Sequence, residues 1–76
     1  MSDRLPAVKP KELITALERR GWQLDRIRGS HHILVHPELR RAVTVPVHTR
    51  ELKRGTLSAI LRSADISRAE LADLLD

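Results

Sequence analysis

The sequence predicts an α+β two-layer sandwich. It would hold a three-stranded antiparallel sheet with helices on one face, ordered α-β-β-β-α, plus a short C-terminal helix. Three observations predict it. Leu13, Ile14 and Leu17 form an apolar stripe at helical spacing. Three short strand-like runs follow, separated by Gly29-Ser30 and by a polar link. Helical spacing then returns in Leu57, Ile60, Leu61 and Ala64. The chain has 76 residues, room for one small core. Residues 1–9 read as a flexible lead-in and residues 10–76 as a single domain.

The first helix is expected over about residues 10–20. Pro10 suits a first helical turn, Arg19 and Arg20 complement the carboxyl end of the dipole, and Gly21 supplies the C-cap. Residues 22–28 alternate, with Trp22 and Leu24 on one face, as in a half-buried strand. Gly29-Ser30 is a tight turn. Residues 31–36 hold Ile33-Leu34-Val35 and stop at Pro37; residues 42–45 make a third strand stopped by Pro46. A polar loop spans 47–53, and a second helix spans about 54–63. Ser67 and Glu70 have the spacing of a capping box and open a last helix carrying Leu71, Leu74 and Leu75.

Composition narrows the function classes. Cysteine is absent, which excludes disulfides and thiolate metal sites and fits a reducing compartment. No apolar run approaches the ~20 residues of a membrane span, and the first six residues lack a secretory apolar region. The expectation is a soluble cytoplasmic protein without a membrane partner. The net charge of +4 is uneven. Residues 19–54 carry nine basic and three acidic groups, a net of +6. An arginine-rich middle points to a polyanion partner or, more blandly, to solubility alone.

Histidines stand at 31, 32, 36 and 48. A metal site would need several ligands about 2 Å from one ion, but on a strand His32 and His36 lie ~13 Å apart. No metal or cofactor is expected. Acid-base chemistry suits imidazole better, since its ordinary pKa of about 6.5 allows proton transfer at neutral pH. His31 and His32 point to opposite faces of a strand, so only one of them can face a groove. Gly29-Ser30 lets the chain approach a ligand closely, and its amides could meet a phosphate. The alternative is that this pair merely fills surface and core.

Taken together, Leu13-Ile14, Leu17-Glu18, Gly21-Trp22, Arg28-Gly29-Ser30-His31-His32, His36-Pro37, Val43-Thr44-Val45-Pro46 and residues 52–57 with Ile60-Leu61 and Ala64 resemble the HicA-type mRNA interferase toxins. The resemblance covers about residues 9–72. It implies a fold like the double-stranded RNA-binding domain and a metal-independent endoribonuclease in a toxin-antitoxin pair, with mRNA as substrate. It also implies a HicB-type antitoxin that blocks the active site. The family's catalytic histidine falls on His31, with His32 as the second candidate, and its turn glycine falls on Gly29. The chain departs from the family pattern at Asp65, where glycine is common, and at Val47-His48, where the loop is often proline-rich.

On this reading His31 acts as base on a ribose 2′-OH, and either its protonated form or His32 assists the leaving group. Arg26, Arg28 and Lys53 are candidate phosphate binders, with Gly29 and Ser30 in the turn. Two other classes stay open: a non-catalytic RNA-binding module and a protein-interaction domain on the same fold. The strand also poses a conflict. Burial of Ile33 and Val35 would carry His31 into the core, whereas an accessible His31 requires Leu34 to be the inward residue. The reading places His31 on the open face.

Overall fold

A computed structural model describes residues 5–48 and 50–75. Three strands, β1 (Gln23–Arg28), β2 (His31–His36) and β3 (Arg41–Pro46), pair in the order β1-β2-β3, antiparallel throughout. Helices α1 (Pro10–Arg19), α2 (Arg54–Ala64) and α3 (Arg68–Leu75) complete the expected order. The core unites Leu13, Leu17, Trp22, Leu34, Val45 and Leu57 with Leu61, Leu71 and other apolar neighbours.

Each helix is delimited by identifiable chemistry. The Lys9 N–H at the start of α1 donates to Glu12 Oε1 at 2.8 Å. At its end, Gly21 takes φ +94°; its N–H meets Glu18 O while Trp22 N–H meets Leu17 O, both at 3.1 Å. That is a Schellman closure, with buried Trp22 and Leu17 as its apolar pair. The end of α2 repeats it: Asp65 takes φ +58°, and the Asp65 and Ile66 amides bond Arg62 O and Leu61 O at 3.2 and 2.9 Å. Aspartate thus replaces glycine in a left-handed position, at a modest steric cost. The capping box of α3 forms as expected. Ser67 N–H donates to Glu70 Oε1 at 3.2 Å, and Glu70 N–H donates to Ser67 Oγ at 3.1 Å. The Ser67 backbone N–H and then the Ser67 side chain, both bonding the carboxylate, with Arg20 2.8 Å away, hold the Glu70 carboxyl below its usual range.

Two expectations need correction. Residues 5–9 are not loose: Val8 is fully buried and its carbonyl accepts Leu52 N–H at 2.9 Å. Lacking helical or strand pattern, this segment hides its one core residue from periodicity; residues 1–4 lie outside the described residues. Nor is β1 half-buried. All six of its residues are exposed, including Leu24 and Ile27. It is an edge strand, and a bulge at Asp25, between Leu24 and Arg26, shifts its register.

Candidate nucleic-acid interface

The two faces of the sheet separate cleanly. Leu34 on β2 and Val43 and Val45 on β3 are buried beneath the helices, while Ile33 and Val35 are only partly covered. Because alternate residues face opposite ways, His31 shares the open face with Ile33 and Val35. The conflict in the sequence therefore resolves with Leu34 inward and His31 exposed.

Cross-strand pairing sets the neighbours of His31. Arg28 lies opposite it on β1 and Pro46 opposite it on β3. Arg26 lies opposite Ile33, so both arginines stand on the face of His31 despite the bulge. Arg26 keeps a 3.4 Å ion pair with Asp25, and the His31 ring has no hydrogen-bond partner among the described residues. Gly29 takes φ +59° as the first residue of the two-residue turn, and Ser30 has no positive φ, the pattern of a II′ hairpin. A Cβ at Gly29 would meet nothing within 4 Å, so this glycine serves the backbone conformation and leaves open space above the turn.

The same end of the molecule gathers cations from the helical layer. Ser30 O accepts Val47 N–H at 2.7 Å, which ties the turn to the exit of β3. Beyond it, a cleft of about 270 Å³ is lined by Pro46, His48, Arg50 and Lys53, among others. A second, of about 470 Å³, is lined by Lys9, Pro10, Lys11, Val47 and His48. The starts of α1 and α2 both border these clefts, and helix N-termini favour anions. Lys53 therefore sits around the corner from His31, linked to it through Pro46.

The structure thus brings together Arg26, Arg28, Gly29, Ser30 and His31 on one hairpin, with Lys53 nearby. It does not bring His32 to them. His32 lies on the helix-facing side, half-buried, opposite Ile27 and Val45. His36 stands at the far end of β2 and has a different occupation. Leu39 N–H donates to its Nδ1 at 3.2 Å, which leaves Nε2 to donate to Arg20 O at 3.1 Å. Its ring meets Trp22 edge-on, with centroids 5.3 Å apart. Sequence reasoning gave no position to Lys9, Lys11, His48 and Arg50 at this rim. Only the count of histidines and basic residues signalled them, because the clefts arise where three separate segments meet.

A family model described as the HicA toxin of bacterial toxin-antitoxin systems matches residues 10–66. The chain belongs to that family. No curated protein matches it. Membership makes this HicA-family chain a toxin whose counterpart is an antitoxin. Among its described residues no helix is long and apolar enough to cross a membrane.

Proposed function

We propose that this HicA-family toxin is a metal-independent endoribonuclease that cleaves mRNA in the cytoplasm and is silenced by a HicB-type antitoxin. One observation carries the reading: an exposed imidazole, His31, with no hydrogen-bond partner among the described residues, stands beside Arg28 on a sheet face the helices leave open. His31 takes the proton of a ribose 2′-OH, and the oxygen attacks the adjacent phosphorus. The bond to the 5′-oxygen breaks as that oxygen takes up a proton, leaving a 2′,3′-cyclic phosphate and a 5′-hydroxyl. Arg26 and Arg28 steady the phosphate and the charge that grows on it, and the open space above Gly29 admits the backbone of the strand. General-base help of this kind contributes roughly 10²–10⁴-fold. DNA lacks the 2′-OH and is not a substrate.

The test is incubation of the purified protein with RNA in EDTA, beside the His31→Ala variant. Cleavage by the wild type only, with salt-sensitive RNA binding in both, supports the nuclease. Binding without cleavage by either form supports the non-catalytic module. Equal cleavage by both forms refutes the role of His31.

A further inference from the structure

We infer that His48 is the general acid of this reaction, protonating the departing 5′-oxygen while His31 deprotonates the 2′-OH. The inference rests on the nuclease reading above. In an in-line displacement the entering and leaving oxygens lie on opposite sides of phosphorus. A base seated beside the 2′-oxygen is therefore badly placed to return its proton to the 5′-oxygen, and a second proton donor is needed. Lysine and arginine ordinarily hold their protons too tightly for that role near neutral pH.

Among the other imidazoles, His32 is on the opposite face and His36 is far off with both ring nitrogens engaged. His48 meets the requirement. It is exposed and has no hydrogen-bond partner among the described residues. It lies at the right place: Pro46 is directly across from His31, and Val47 N–H is bonded to Ser30 O at 2.7 Å. His48 follows next. It stands two residues beyond the end of β3, at the same end of the molecule as the Gly29-Ser30 turn.

The surroundings suit the substrate. His48 lines both clefts at this end. It is faced by Lys9 and Lys11 from the start of α1 and by Arg50, Lys53 and one carboxylate, Glu51, from the loop. The loop is anchored on both sides, by the Val47–Ser30 bond and by Leu52 N–H on Val8 O. The proton count closes. As the 2′-oxygen bonds phosphorus, its proton passes to His31. As the bond to the 5′-oxygen breaks, the imidazolium of His48 supplies that oxygen's proton. Water then exchanges protons with both rings and restores the starting state.

A leaving-group experiment tests the assignment. Two RNA oligonucleotides are compared, one ordinary and one with sulfur replacing the 5′-oxygen at the scissile linkage; a thiolate departs without a proton. His48→Ala and His48→Gln should cut ordinary RNA about 10²-fold or more slowly, within the range of general acid catalysis. Both should cut the sulfur-linked substrate within about tenfold of wild type, whereas His31→Ala should be slow on both. The assignment is overturned if His48→Ala cuts ordinary RNA at the wild-type rate. It is also overturned if both His48 variants lose the same factor on the two substrates, which would make His48 a phosphate contact. Failure of the wild type to cut either substrate, or wild-type rates in His31→Ala, would instead remove the nuclease reading and this assignment with it.

Discussion

Replacing Gly21 by alanine should destabilise the protein partly through backbone strain and partly through a histidine fifteen residues away. At φ +94° an L-residue pays roughly 1–2 kcal/mol in backbone strain. The new Cβ would also lie 3.0 Å from His36 Nε2, tight enough that the ring must give by a few tenths of an ångström. A shift weakens the bonds to Arg20 O and Leu39 N–H, worth about 1 kcal/mol each, and the edge contact with Trp22, worth about 0.5–1.5. The expected total is roughly 2–4 kcal/mol. A chain of this length has about 4–11 kcal/mol of stability to lose. The decisive assay is a double-mutant cycle of Gly21→Ala with His36→Ala, read by urea unfolding. Once His36 is an alanine, only the strain of Gly21→Ala remains. The pair should then cost about 1–2 kcal/mol less than the sum of the singles. Additivity within ~0.5 kcal/mol would refute the reasoning. Cleavage per folded molecule should be unchanged, because His36 is about 17 Å along the strand from His31.

Asp65→Gly should stabilise the protein by about 1 kcal/mol, relieving both a left-handed aspartate and a negative charge at a helix carboxyl end; calorimetry should show Tm rising by roughly 4–8 °C. Glu70 has its carboxyl pKa lowered in the folded state, so its stabilising effect is present above the unfolded carboxylate pKa and is lost as pH falls through the folded value. Glu70→Gln should therefore flatten the acid side of the stability–pH curve and leave its alkaline side unchanged, as measured by urea unfolding across pH. Arg26→Gln and Arg28→Gln should each weaken RNA binding at all sequences and lower the slope of log K against log salt by about 0.7, in titrations at several salt concentrations.

Much of this architecture was legible in the residues, and the failures have physical causes. Caps were readable because they depend on local chemistry: Ser67 with Glu70 and Gly21 after Arg20 act over a few residues. The parity of β2 was not readable from hydropathy, since Ile33-Leu34-Val35 is apolar throughout; the correct placement of His31 on the open face came with the family resemblance. The exposure of β1 depends on its edge position and on a bulge at Asp25, neither of which leaves a period in the sequence. His36 reads as one more histidine until Gly21, Trp22 and Leu39 converge on it. Likewise the hairpin from Arg26 to His31 was visible as a unit, whereas the setting of His48 required the β3 exit, the start of α1 and the second loop to meet.

A sheet roofed on only one side gives its middle strand a two-beat grammar. Substitutions descending β2 from His31 should tax reactivity, then solidity, then contact with visitors, then solidity again. Selection can consequently retune what the toxin does at odd positions while the even ones keep the scaffold standing.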